Sequence, residues 1–236
     1  MSKSTMAGMQ KHKRCGVALL ALSALAACGG GTDYVPPPVV PPVVNLTVTG
    51  TAATGAALAG AAIAVTCSTN SGTATSAADG TFNVVIGDGK GPCILTATKG
   101  ATVLRSVTPG AGVANITPLT DMLTDYLATR AGTTAANLLT NTNGKAILSD
   151  SKALTDAQAG LVSLLKTNYN VTLSTTNFLT ATITTPTGGT QSAGDKDLDL
   201  LKTNGLTTTT GTLTPAVTTT AINLAKTQPF TVTGGT

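Results

Sequence analysis

The hydrophobic period of this chain changes once, near residue 116, and this change constrains the fold more than any other feature. Over residues 45–107, apolar residues alternate with polar ones, as in the set Ile63, Val65 and Cys67. Alternation with a period of two places such a set on one face of a β-strand. From Thr117 onward, apolar residues recur every three or four positions, which is typical of amphipathic helices. We therefore expect an α+β fold, with a small β-sandwich over residues 45–115 and a mainly α-helical region over residues 116–236.

Several helices are predicted after this change, and the first is the best defined. Thr117 is its expected N-cap and Pro118 its first residue. Further helices are expected over residues 134–139, 156–168 with Thr155 as N-cap, 196–203, and 215–226 with Thr214 as N-cap. The segment 178–185 stays open, because its β-branched residues favour a strand whereas its neighbours favour helices.

Residues 1–27 have the plan of a secretory signal peptide. Basic residues lie in their first half, and an apolar run of 12 residues follows over residues 16–27. A helix that spans a bilayer needs about 20 apolar residues, so no permanent transmembrane helix is expected here. The residues Leu25-Ala26-Ala27-Cys28 resemble the lipobox of bacterial lipoproteins, which implies cleavage before Cys28 and a lipid on that cysteine. A cut after Ala24-Leu25-Ala26 is the alternative.

The residues after Cys28 suggest where such a lipoprotein is held. Gly29 follows the cysteine, and by resemblance to Gram-negative lipoproteins this implies transfer to the outer membrane. Residues 28–44 are rich in Gly and Pro, and the run Pro36-Pro37-Pro38 favours an extended backbone. We expect a lipidated tether that holds the folded part away from the membrane surface.

Two cysteines remain once the signal peptide and Cys28 are set aside. Cys67 shares its parity with Val65, and Cys93 shares its parity with Leu95, so both are expected on the inward faces of strands. A single pair in an exported chain predicts a disulfide, worth roughly 3–4 kcal/mol in the chain-entropy model. Two buried free thiols are the alternative.

The strand region carries a second resemblance. The residues Val48-Thr49-Gly50, Leu58-Ala59-Gly60-Ala61-Ala62-Ile63-Ala64-Val65 and Ala78-Asp79-Gly80-Thr81-Phe82 resemble the carboxypeptidase regulatory-like, or transthyretin-like, domain. In that family the domain is an accessory structural or interaction module, and no catalytic residue is carried over. The junction Asn115-Ile116-Thr117-Pro118 is similar to one in exported bacterial lipoproteins and surface proteins, which implies location and architecture but no activity.

Composition excludes several function classes. Residues 1–27 contain four of the 14 Lys and Arg and none of the 10 acidic residues, so the rest of the chain has 10 of each sign. A balanced chain without a basic cluster is not expected to bind nucleic acid. The only histidine, His12, lies in the signal peptide, and the chain has no Glu. Ser-His-Asp triads, Cys-His pairs and most zinc sites are therefore excluded, and we expect no enzyme activity and no cofactor.

The densest acidic cluster is Asp195, Asp197 and Asp199. Its spacing is that of a calcium loop, but Leu200 occupies the sixth position, where the turn needs Gly, and Leu206 the twelfth, where Glu is needed. A capped helix is the favoured interpretation, with Asp195 as N-cap, and the three residues are only weak metal candidates.

Two further pairs have spacings found in enzymes. Asp121 and Asp125 are one helical turn apart, as paired acid/base carboxylates can be, but they lie opposite the apolar stripe and predict a solvated face. Ser163 and Lys166 have the S-x-x-K spacing, but the accompanying motifs are missing. Neither pair is expected to be catalytic.

These observations predict a lipid-anchored cell-envelope protein that acts as a non-catalytic binding or structural module. Its expected contacts are the membrane, through the N-terminal lipid, and an envelope protein or polysaccharide. The alternative is an envelope enzyme, or a binder of a metal or small ligand, that uses Asp side chains of the helical region.

Overall fold

The computed structural model describes residues 43–184 and 191–232, so the predicted signal peptide, Cys28 and nearly all of the tether lie outside the described residues. In the described part, strands come first: β1 (Asn45–Thr51), β2 (Ala62–Thr69), β3 (Ser71–Thr75), β4 (Thr81–Gly87), β5 (Lys90–Lys99), β6 (Thr102–Thr108) and β7 (Gly112–Val113). The helices follow: α1 (Pro118–Arg130), α2 (Thr142–Ser149), α3 (Ser151–Tyr169), α4 (Ala193–Thr203) and α5 (Pro215–Lys226). This order confirms the predicted α+β class.

The strands form two sheets that share one apolar core. One sheet has the order β4-β1-β7, and the other has the order β3-β2-β5-β6. Val48 and Val84 of the first sheet belong to the same buried cluster as Val65 and Leu95 of the second. Alternation therefore places the inward residues where the sequence predicts them. The strand β3 was not predicted, because Ser71-Gly72-Thr73-Ala74-Thr75 has no large apolar side chain to mark a face.

The predicted disulfide between Cys67 and Cys93 is present. The two cysteines lie directly opposite each other on the antiparallel strands β2 and β5. Both side chains are buried in the core that the two sheets share. The bridge therefore joins neighbouring strands of one sheet and leaves the contact between the sheets to apolar packing.

The first helix has the predicted start. Thr117 is the N-cap of α1, and its hydroxyl accepts from the backbone N–H of Thr120, whose own hydroxyl accepts from the N–H of Thr117. This reciprocal pair is a capping box, in which two otherwise unpaired N–H groups are satisfied. Pro118 suits the first helical position, because proline has no backbone N–H and the N–H at this position would have no partner within the helix. The chain can therefore leave the sheet at residue 116 and enter a helix at once.

The other helices differ from prediction mainly at their starts. The helix α3 begins at Ser151, because Asp150 accepts from two N–H groups of its first turn, so Thr155 is not its N-cap. The helix α2 was not predicted, and residues 135–137 form only one 3-10 turn. The helix α5 has the predicted bounds, although the Thr214 side chain makes no capping hydrogen bond.

The four-stranded sheet has helices on its other face. Val107 of β6 belongs to the buried cluster of the helices, and Ile94 of β5 packs against it. These residues have the opposite parity to Cys93 and Leu95, so they point away from the sandwich core. None of the helices in residues 43–184 and 191–232 combines the length and hydropathy needed to cross a bilayer.

The sequence leaves the secondary structure of residues 178–185 undecided. Over residues 178–184, which the structure describes, the chain is neither strand nor helix. Two buried polar side chains hold it by its backbone. Asn115 donates to the carbonyl oxygen of Ala181 at 2.7 Å, and Gln158 accepts from the N–H of Leu179 at 3.1 Å. A buried loop needs partners for its polar backbone groups, and these side chains supply them.

Candidate functional site

Arg105 joins the sheet to the first helix through both of the carboxylates that were predicted to be solvated. Its Nε donates to Asp121 Oδ1 at 2.7 Å, and its Nη2 donates to Asp125 Oδ2 at 2.9 Å. All three side chains are half-buried or more. The prediction of a solvated face for Asp121 and Asp125 is therefore wrong, because the sheet lies against that side of α1.

The environment of Asp121 is that of a structural ion pair. Burial raises the pKa of Asp121 above its ordinary value, the Arg105 guanidinium acts against this effect, and the charge of Asp125 adds to it. Arg105 and Asp125 also border a surface cavity of about 390 Å³. Because the guanidinium is already held by two carboxylates, its charge is neutralised within the protein and is not left for a ligand.

Asp197 holds the chain segment after α3. It accepts four hydrogen bonds, from the N–H and hydroxyl of Ser174 and from the N–H and hydroxyl of Thr175, at 2.7–2.9 Å. Four donors saturate the lone pairs of a carboxylate. Asp197 is therefore a positioning group for residues 174–175 and has no oxygen left for a cation.

Asp195 lies on another face of α4 and is not the N-cap. That place belongs to Ser192, whose hydroxyl accepts from the Asp195 N–H, so the prediction for Asp195 is wrong. Asp195 is 1% exposed as a residue, and neither of its carboxylate oxygens has a hydrogen-bond partner among the described residues. Asp199, one turn along, accepts from the Gln191 amide at 2.6 Å. Among residues 43–184 and 191–232, no three acidic, Cys or His side chains lie together as a metal group.

Ser163 and Lys166, which have the S-x-x-K spacing, lie in different surroundings. Ser163 lines a groove, whereas Lys166 is exposed and is not among the residues that line it. A base must reach the hydroxyl it activates within hydrogen-bond distance. The structure therefore places Ser163 in the groove and leaves the Lys166 side chain out of its lining.

The groove that Ser163 lines has a volume of about 530 Å³. One wall is α3, the other is α5, and α1 packs against both helices. Gly160 lies on the α3 wall, and a side chain built there would meet the Tyr126 hydroxyl of α1 at 3.6 Å. At one end, the Tyr169 hydroxyl lies 2.9 Å from that of Thr220 and links the two walls.

The groove combines an apolar base with unpaired polar groups. Leu164 and Leu224 supply apolar surface, and the other side chains that line it are uncharged. Thr220 and Gln228 of the lining are hydrogen-bonded to tyrosine side chains, whereas no side-chain hydrogen bond joins Ser163, Asn168 or Asn223 to another described residue. A concave, mainly apolar surface with a few convergent polar groups is the usual form of a small-ligand site. Only Ser163 was noted in the sequence, because the walls come from separate helices and share no motif.

A comparison with protein-family models, curated proteins and solved structures found no match to this chain. The lipobox and the regulatory-like domain therefore stay predictions from the residues that carry them.

Proposed function

We propose that this protein is lipid-anchored through Cys28 to the outer membrane and acts there as a non-catalytic binding module. The groove between α3 and α5 is its proposed binding surface. The N-terminal residues support the location, since they combine a signal-like start with a lipobox-like ending. The geometry of the helical region supports the role.

The observation that carries the proposal is how the polar side chains are used. The half-buried and buried charges of Arg105, Asp121, Asp125 and Asp197 are engaged in contacts that hold elements together. The groove, in contrast, also presents the side chains of Ser163, Asn168 and Asn223, which make no hydrogen bond to another described residue, although Thr220 and Gln228 of its lining are bonded within the protein. Groups of this kind give a site orientation and specificity toward a ligand.

The lining also defines the chemistry of the ligand. None of the residues around the groove carries a charge, so a charged ligand would lose its hydration without gaining an ion pair. Hydroxyl and amide groups can donate to and accept from an uncharged polar ligand. The proposed ligand is therefore uncharged, rich in hydroxyl or amide groups, and has an apolar face toward Leu164 and Leu224.

The test is to fill the groove without disturbing its walls. In Gly160→Leu the new side chain has room at Cβ, since its nearest neighbour is the Tyr126 hydroxyl at 3.6 Å, and the rest of it occupies the groove. The matched control is Ala159→Leu, which places the same side chain on the adjacent, exposed position of α3. The three full-length proteins are purified in detergent, immobilised and exposed to an envelope extract.

Protein and glycan retained on each column are then analysed separately. The proposal expects one component that binds the natural protein and Ala159→Leu but is lost with Gly160→Leu. Equal retention by all three proteins would refute the groove as the binding surface. If a component is found, its nature decides between the two predicted partner classes.

A further inference from the structure

The buried carboxylate of Asp195 has no hydrogen-bond partner among the described residues. Both of its oxygens are inaccessible and without a hydrogen-bond partner in the described residues. Leaving a buried charged group unpaired costs more than any single hydrogen bond returns. Other buried polar side chains of this protein, such as Asn115 and Asp197, have partners. The Ser106 hydroxyl is also buried without a partner in the described residues, but it is uncharged, so Asp195 is the unpaired buried group that needs a counter-charge or a proton.

A second carboxylate lies beside it. Asp199 follows Asp195 by four residues on α4, and this spacing places the two side chains one above the other on the same helix face. Two neighbouring negative charges repel each other, and in agreement both burial and Asp199 raise the pKa of Asp195. The repulsion makes the site attractive to a cation.

An uncharged amide group, the side chain of Gln191, lies beside the two carboxylates. Gln191 donates its amide N–H to Asp199 at 2.6 Å, and the same amide lies close enough to Asp195 to lower its pKa in part. Rotation of the amide by half a turn would present its oxygen instead. Gly55 borders the other Asp199 oxygen, and a Cβ at Gly55 would lie 3.1 Å from Oδ1. A glycine there keeps that oxygen open.

We propose that Asp195, Asp199 and Gln191 bind one hard divalent cation, with calcium as the ion that fits best. Calcium takes carboxylate and amide oxygens together with water, and it tolerates irregular geometry. Mg²⁺ demands near-octahedral geometry and gives up its own water reluctantly, so it is expected to bind more weakly at this site. This site differs from the calcium loop considered in the sequence, because Asp197 is not part of it.

The test is calcium-dependent stability of the full-length protein in non-ionic detergent. Thermal unfolding is followed at pH 7.5 in chelator and in rising CaCl₂, with the ionic strength held constant by NaCl. Extracellular calcium modules bind with a Kd of about 10⁻⁴–10⁻³ M, so 10 mM calcium is expected to raise Tm by about 3–10 °C. The same concentration of MgCl₂ is expected to raise it much less.

Three variants assign the effect. Asp195→Asn and Asp199→Asn are each expected to abolish the rise in Tm, because each removes one charged ligand. Asp156→Asn is the control, since it removes an exposed carboxylate of α3 that pairs only with Lys152. It is expected to keep the full calcium response. An unchanged Tm of the natural protein in calcium, or the same rise in Asp195→Asn, would overturn the proposal.

Discussion

Two helical glycines offer a direct test of the packing, because the same substitution is expected to have opposite effects at the two positions. Gly160 lies in the middle of α3, and Gly144 lies in the first turn of α2. Helix propensity alone predicts that alanine improves both helices, by up to about 1 kcal/mol in a helix interior. The structure predicts a difference in sign.

At Gly160 the new methyl group has room. The nearest atom that it would meet is the Tyr126 hydroxyl at 3.6 Å, which is an ordinary van der Waals distance. Gly160→Ala therefore keeps the propensity gain and is expected to raise the free energy of unfolding by about 0.5–1 kcal/mol. For a domain of this size the corresponding rise in Tm is about 1–4 °C.

At Gly144 the methyl group collides with backbone. It would overlap with the carbonyl oxygen of Leu138 and lie 2.9 Å from its carbonyl carbon. These atoms cannot rotate away as a side chain can, so either the start of α2 or residue 138 must move. Overpacking of this kind costs about 1–3 kcal/mol, which exceeds the propensity gain.

The assay is reversible unfolding of the full-length protein by guanidinium chloride, followed by circular dichroism. Ala159→Gly is the calibration, because this exposed neighbour in α3 reports the propensity difference in the opposite direction, a loss of about 1 kcal/mol. If Gly160→Ala destabilised the protein, or if Gly144→Ala stabilised it to the same extent as Gly160→Ala, the packing described here would be wrong.

Four further predictions concern the anchor, the disulfide and the charges. Replacement of Cys28 by Ala is expected to abolish acyl labelling and release the protein from membranes, and unchanged retention in a fractionation would contradict the anchor. Replacement of Cys67 and Cys93 together by Ala is expected to lower the free energy of unfolding by about 3–4 kcal/mol, measured in denaturant, because a separation of 26 residues is no longer closed. Arg105→Met is expected to cost about 1–3 kcal/mol, since it leaves two half-buried carboxylates without their cation, and a neutral effect would exclude the link as a source of stability. In the presence of chelator at pH 7, Asp195→Asn is expected to raise the free energy of unfolding, measured in denaturant, by about 1–2 kcal/mol. This increase should shrink as the pH falls toward 3.8, the ordinary pKa of an aspartate. Because the pKa of Asp195 is raised in the folded protein, the folded state takes up a proton at a higher pH than the unfolded state, which removes the cost of the buried charge. An increase that does not depend on pH would contradict this explanation.

The acidic residues show how far local sequence can be trusted in this protein. Spacing along α1 correctly placed Asp121 and Asp125 on one face, but it gave no indication that Arg105 of a preceding strand would lie against that face. In α4, the run of alternating acids suggested one site, whereas the helix directs Asp197 toward Ser174 and Asp195 away from it. A helix turns by about 100° per residue, so alternate residues do not share a face.

The candidate groove shows the same limit more strongly. Its walls come from α3 and α5, and its lining consists of common uncharged residues such as Ser163 and Asn223. No spacing marks such residues in the sequence, because the groove exists only where two helices are held apart on a third. The space beside Gly160 is bounded by the hydroxyl of Tyr126, which lies more than thirty residues earlier in the chain.

The sequence by itself determined the class of fold, the inward faces of the strands, the disulfide and the start of the first helix. These depend on the period of apolar residues and on capping chemistry, which act over a few residues. Only the tertiary structure decided the course of residues 171–184, the partners of the carboxylates and the groove. Those features depend on which distant groups meet, and burial makes an unpaired polar group costly enough to decide among the possible contacts.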